Sequence, residues 1–429
     1  MTSIHAMKRL LRGAVLGFGL AVVAAGCDLD SLLEVDPVDR VPAEGLTTQS
    51  NALLLVNGAI ADFECAYGAY VALSGVVGGE LIDATQTAAR WPAERRDFDD
   101  VADQSQYATF GCTALGIYIP LQTARWSADN ILFALQGWTD AELSDLGFDR
   151  QELLAKAAAY AGYSYVLLGE GFCSMAVNLS AELTPAAVFD TAIARFTTAI
   201  AAAQAAGEAD LVALARVGRA RAYLNRGQGA NAVADAEQVP AGFEYVTDAS
   251  GAFSVRSNRI FAQNGPPPTG GSALSIGEAY RNFQHMGVDD PRVEVSDFIR
   301  QTADGTELYF QLKYESLDDP LPLATWEEAQ LIIAEAQLGP TAVAIINDLH
   351  SRAGIAGVFV STDNAQILAH VLEERQAELW LEGHRFNDIE RHNLDLVPAP
   401  GTVYRKGQTY EDARCFPLPD IEIRNNPNI

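Results

Sequence analysis

Basic residues are scarce in this chain. Lys and Arg number 29 against 56 Asp and Glu, a formal charge of −27 over 429 residues. Such a surface repels nucleic acid phosphates and anionic headgroups, so neither is an expected partner. Long apolar runs are scarce too. Beyond residue 25 no second stretch approaches the ~20 residues needed to span a bilayer, so the body is expected outside the membrane. Cysteine is limited to five residues, none in C-x-x-C or Cys/His spacing of the kind that holds zinc. G-x-G-x-x-G after a strand, a Walker loop and a G-x-S-x-G elbow are all missing. Gly78-Gly79 and Gly270-Gly271 read as turn glycines. No cofactor and no metal are expected.

What is present begins at the N-terminus. Lys8, Arg9 and Arg12 precede an apolar run from Gly13 to Ala25, followed by Gly26-Cys27. That is the layout of an export signal. Small residues before a lone Cys are similar to a bacterial lipobox, with Ala24 where Leu is usual. Residues 1–26 are therefore expected to be a lipoprotein signal peptide. Cys27 is expected to carry the acyl chains that tether residues 27–429, a single domain, to a membrane surface. Loss of the three basic residues takes the charge to −30. The other cysteines, Cys65, Cys112, Cys173 and Cys415, are an even set in an exported protein and suggest two disulfides. Three pairings are open. Cys65 with Cys112, flanking one loop region, is preferred, and leaves Cys173 with Cys415.

Helical periodicity dominates the rest. Apolar residues share a face from Asn51 to Phe63, and a helix is expected near Ile117–Gln136. Ala-rich helices follow at 150–169, from Thr184-Pro185 onward, at 210–226 and at 228–239. Thr184 is the cap and Pro185 the first helical residue. Phe189, Ile193, Phe196 and Ile200 form one stripe. Thr325-Trp326-Glu327-Glu328 reads as a capping box opening a further helix. Helices then run over 340–353 and 364–382. Short pairs at 150–206, 210–239 and 326–353 look like tetratricopeptide-type repeats, with a fourth pair at 51–63 and 115–136 split by an insertion. The expected fold is mostly α: a scaffold of about four helix pairs over 45–65, 115–240 and 323–395. A loop-rich binding half is expected over 66–114, 241–322 and 396–429. A strand is expected at Glu307–Tyr314.

Four stretches resemble the SusD/RagB family of lipoproteins. They are Leu32-Leu33-Glu34-Val35-Asp36-Pro37 after the Cys, Arg125 to Leu132, Ala220-Arg221-Ala222-Tyr223-Leu224-Asn225-Arg226-Gly227, and above all Glu373 to Arg391. The last is similar to "E-R-x-x-E-L-x-x-E-G-x-R-x-x-D-L-x-R" nearly position for position. The helix at Trp326–Ala336 and Phe416-Pro417-Leu418-Pro419 also resemble family segments. The chain departs in its length and in closing on Asn426-Pro427 without the usual continuation. The resemblance implies an outer-membrane, surface-exposed nutrient receptor. It further implies a partner, a SusC-like TonB-dependent transporter, and a glycan or peptide ligand.

Two readings compete for the charged signature. Glu374, Glu378 and Glu382 share a helix face and invite a glycosidase assignment. Ion pairing with Arg375, Arg385 and Arg391, together with Asp388, is the more economical reading. His384, Asp388 and His392 fall at metal-compatible offsets, but a helix end between them argues against a site. A peptide-binding adaptor is a third class, for which an Ala-rich acidic sequence offers little. Sugar recognition calls for ring faces beside polar groups, which singles out loop residues. The candidates are Trp91 with Arg90, Arg95 and Asp83; Tyr67 and Tyr70; Tyr280, Arg281 and Phe283; and Tyr309 near Tyr314. Trp126, Trp326 and Trp380, on helices, are expected to be scaffold.

Overall fold

A computed structural model of the chain describes residues 46–112 and 115–429. It divides into a unit of residues 1–48 and a unit of residues 49–429. Cys27, the expected signal peptide and the segment Leu32–Pro37 lie outside the described residues. The second unit holds everything that follows.

Its helices are α1 Ala52–Val77, α2 Trp91–Arg95, α3 Val101–Tyr107, α4 Tyr118–Gly137, α5 Asp140–Ser144, α6 Arg150–Gly171, α7 Pro185–Ala206, α8 Ala209–Asn225, α9 Gly229–Ala236, α10 Arg259–Asn264, α11 Trp326–Gln337, α12 Gly339–Ala353, α13 Asn364–Glu378, α14 Arg385–Arg391 and α15 Asp420–Asn425. The expected pairs form: α1 packs on α4, α6 on α7, α8 on α9 and α11 on α12. The fold is mostly α, as expected. Strands are short and make two-stranded antiparallel ladders among the described residues: β1 Leu81–Asp83 with β3 Leu274–Ile276, β2 Glu244–Val246 with β8 Pro322–Thr325, β4 Gln284–His285 with β5 Val288–Asp289, and β6 Arg300–Gln301 with β7 Glu307–Leu308.

Small residues set the helix spacing. Phe189 and Phe196, in the predicted stripe of α7, press against Gly169 and Gly162 of α6. A Cβ at either glycine would lie under 3.0 Å from the ring. Thr184 caps α7 through the Ala187 amide as expected. Thr325 caps α11 through the Glu328 amide at 3.0 Å. The reciprocal half of the expected capping box is absent, because the Glu328 carboxylate turns inward toward Arg221, 3.7 Å away.

Four expectations are corrected. The scaffold does not stop near residue 65: α1 continues to Val77, where Gly and Tyr had suggested a loop. Those glycines admit neighbours; a Cβ at Gly68 would sit 3.3 Å from Arg259 Cβ. The strand at Glu307–Tyr314 is a ladder only over Glu307–Leu308, because the chain then turns to make an isolated bridge from Gln311 to Val295. Two helices, Gln49–Val77 and Pro185–Ala206, are long and apolar enough to cross a bilayer. However, 78% of the first one's apolar window is buried inside the fold, and the second packs along α6. Trp126 is 54% exposed rather than buried scaffold. Trp380 is fully buried, and Trp326 packs under the Arg352 guanidinium.

Both disulfides follow the preferred pairing, Cys65–Cys112 and Cys173–Cys415. The second ties the end of α6 to the C-terminal segment across 242 residues.

Candidate ligand groove and the charged brace

The signature helix α13 and the turn after it are packed, not open. Arg375 makes a two-pronged bond to Asp388 at 2.9 Å on both oxygens. Arg391 bonds Asp388 at 2.9 Å and grips Glu335 with both nitrogens. Burial pushes Asp388 upward, but these two guanidiniums win and hold it at about 2. Glu374 and Glu378 pair with Arg292, at 2.8 and 2.9 Å. Glu382 pairs with Lys313 at 2.6 Å. The expected brace is present, but its glutamates draw their cations from the loop-rich half rather than from Arg375, Arg385 and Arg391. Neighbouring positions on a helix face different ways, so Arg375 reaches α14 while Glu374 reaches Arg292. Arg385 lies against Gly78 of the first helix pair. His384, Asp388 and His392 disperse: His384 meets Arg221 at 3.2 Å, and His392 meets Glu335 at 2.9 Å.

The loop candidates divide sharply. Tyr67 and Tyr70 are fully buried in α1. The Tyr67 hydroxyl donates to the Pro322 carbonyl at 2.5 Å. Tyr280 is buried too, stacked between Phe283 and Trp380. These three are core, because the Gly-rich stretch around Tyr67 and Tyr70 is helix and the brace covers Tyr280.

Asp83, Arg90, Trp91 and Arg95 belong to a polar clasp. Asp83 is buried, accepts from Thr85 at 2.9 Å and Lys406 at 3.0 Å, and forms an ion pair with Arg90 at 2.8 Å. Glu94 accepts from the Asp83 amide, from Arg405 and from the hydroxyls of Tyr404 and Tyr410. Lys406 also reaches Asp304 at 2.5 Å. Burial works against ionisation of Asp304, yet the Lys406 bond holds it at about 2. The Lys406 ammonium sits 5.4 Å over the Trp91 ring, so one face of the expected platform is covered. Arg95 is buried and bound to Asp97 at 2.7 Å. The clasp joins residues 80–95 to 404–410, which sequence separation concealed.

Arg281, Phe283 and Tyr309 do come together. They line an open groove of about 700 Å³ with Asp289, Glu294, Asp297 and Phe298. Arg281 stands 4.5 Å over the Tyr309 ring and pairs with Glu307 at 2.7 Å. Phe298 meets Tyr309 edge-on at 5.9 Å and is itself 50% exposed. Arg281 also borders a more apolar cavity of about 250 Å³ formed with Leu81, Ile82, Arg96, Val397 and Tyr410. The sequence reading missed Phe298 and its neighbouring carboxylates. The available signal was an adjacent Phe298-Ile299 pair in a polar stretch without helical period.

Comparison with known proteins follows the same lines. The SusD family model matches residues 328–429, the segment that carries the brace. Solved structures match over the whole fold. One is a SusD superfamily protein from Bacteroides vulgatus ATCC 8482, 15% identical, covering 89% of this chain and 98% of its own, with a TM-score of 0.64. A SusD homolog from Bacteroides thetaiotaomicron VPI-5482 is 14% identical over 90% and 96%, with a TM-score of 0.66. A laminarin binding SusD-like protein is 15% identical over 88% and 99%, with a TM-score of 0.65. No curated protein matches the sequence.

Proposed function

We propose that this chain, whose residues 328–429 match the SusD family model and whose fold is similar to that of solved SusD superfamily structures, is a non-catalytic surface lipoprotein of that family which captures an oligosaccharide. It is held at the outer membrane through Cys27 and delivers its cargo to a SusC-like TonB-dependent transporter. The observation that carries the reading is the groove: exposed Phe298 and half-buried Tyr309 and Phe283 beside Asp297, Glu294 and Arg281. A pyranose lays its C–H face on a ring and offers its hydroxyls to carboxylates and guanidinium. The laminarin binding relative supports a glycan as cargo. Against hydrolysis stands the state of Glu374 and Glu378, the two carboxylates a glycosidase reading would use. Glu374 is fully buried, and both are bonded to Arg292.

The test is a glycan-binding screen of the purified chain, followed by calorimetry on the best ligand. Phe298→Ala is expected to weaken binding about tenfold, the worth of one stacked ring. Its melting temperature should stay put, because the ring is half in solvent. Unchanged glycan affinity in that variant removes the groove from the reading. Turnover of the bound oligosaccharide overturns the non-catalytic assignment. Membrane co-purification with a TonB-dependent barrel tests the delivery step.

A further inference from the structure

Behind one wall of the groove, three histidines and a glutamate converge. They are His285 of β4, His350 of α12, and His370 and Glu374 of α13, with one ligand atom from each lying within 4.8 Å of the others. His285 and His350 are buried, Glu374 is fully buried, and the His370 side chain is 11% exposed. Sequence spacing concealed the group: only His370 and Glu374 share a helical turn, and His285 comes from 85 residues away.

We propose that His285, His350, His370 and Glu374 form a binding site for a divalent transition metal ion, zinc being the fitting case. His285 Nε2 faces His370 Nε2 at 3.1 Å and Glu374 Oε1 at 3.1 Å. His350 Nε2 also meets Glu374 Oε1. Zinc with nitrogen and oxygen ligands near 2.0–2.1 Å has ligand-to-ligand edges of about 3.4 Å when tetrahedral. The two 3.1 Å pairs are near that spacing and the remaining pairs lie within 4.8 Å, so the cluster adjusts its edges around the ion.

The outer contacts match a metal site as well. His285 Nδ1 points to Asp290 Oδ2 at 3.5 Å, and His370 Nδ1 points to Glu373 Oε2 at 3.5 Å. Neither approach is a hydrogen bond at 3.5 Å; drawn in by a few tenths of an ångström, each carboxylate would hold the proton on Nδ1 and leave Nε2 as the lone pair. Two Nε2 lone pairs then face each other, an arrangement that a cation relieves. Arg292 occupies the other oxygen of Glu374 at 2.8 Å and leaves Oε1 turned to the imidazoles. Phe359 stacks flat on His370 at 4.0 Å and fixes its plane. Exposed Glu373 beside His370 marks the entry side.

Four protein ligands close the coordination shell, so the site is structural rather than catalytic. It pins the β4–β5 hairpin, whose Asp289 lines the groove, to α12 and α13. The inference does not depend on what the groove binds.

The purified full chain, stripped with EDTA, is titrated with zinc chloride and, separately, with cobalt(II). One equivalent of zinc is expected, a higher melting temperature, and the visible absorption of tetrahedral cobalt. Zinc X-ray absorption should count three imidazoles and one oxygen, a reading that needs no variant. His370→Gln, at the partly open edge, is expected to weaken zinc at least about tenfold while the metal-free melting temperature stays within a few degrees. A single imidazole or none around zinc overturns the site, as does failure to take up zinc. Failure to take it up would mean that the imidazoles and Glu374 hold one another by hydrogen bonds instead.

Discussion

Single side chains in this protein are costly where their charges are buried together. Arg375 is 5% exposed and answers Asp388 with two bonds, with Glu335 at 3.7 Å. Arg375→Ala leaves a buried carboxylate with only Arg391 beside it. The expected loss is about 3–5 kcal/mol, read as a lower denaturant midpoint in guanidinium. A loss under 1 kcal/mol would mean that solvent reaches the brace. The identity of the brace was legible in the charge pattern of Glu373 to Arg391. Its partners were not, since Arg292 and Lys313 lie in segments whose loops carry no period. The same limit hid the role of Trp91: the segment read as a loop is the start of α2, and Lys406, 315 positions on, could not be seen beside it.

Whole elements were more legible than their ends. A stripe at helical spacing needs only local sequence, and so α7 and its cap are where the residues placed them. The end of α1 was lost because Gly68 and Gly75 read as loop residues, whereas in the fold they make room for Arg259 and Leu81. Close glycine contacts also govern the α6–α7–α8 layer. A Cβ at Gly218 of α8 would come within 2.5 Å of Phe196 and 2.9 Å of Tyr163. Gly218→Ala gains about 1 kcal/mol of helix propensity. Against this, overpacking costs about 1–3 kcal/mol. Net destabilisation is expected in chemical denaturation, and adding Phe196→Leu should recover part of it, since the two sites share one contact. Stabilisation by Gly218→Ala alone would show that the layer can spread.

At the scale of the molecule, the buried carboxylates set a pH profile. Burial pushes Glu64, Glu80 and Glu328 each up to about 7. Their folded-state values exceed those of the unfolded chain, so the native state binds protons more tightly. That contribution is full below about pH 4.5 and is lost as pH rises through 7. Asp388 and Asp304, held at about 2, act in the opposite sense. Their contribution is full above about pH 4 and is lost as pH falls toward 2. Thermal stability is therefore expected to peak near about pH 5 and decline toward pH 8. Glu80→Gln keeps an acceptor for the Leu381 amide and removes the charge. It should raise the melting temperature at pH 8 and change it little at pH 4.5. An equal shift at both pH values would assign the effect to packing.

Local sequence determined the helix pairs, the caps, the even cysteine set and the charged signature, because periodicity and capping act within a few residues. Only tertiary structure decided which aromatics face solvent, which cations meet which carboxylates, and that histidines of three separate segments gather near one glutamate. Those outcomes depend on irregular backbone folding across the helix stack. No repeating pattern in the sequence encodes a contact between segments that have no common period.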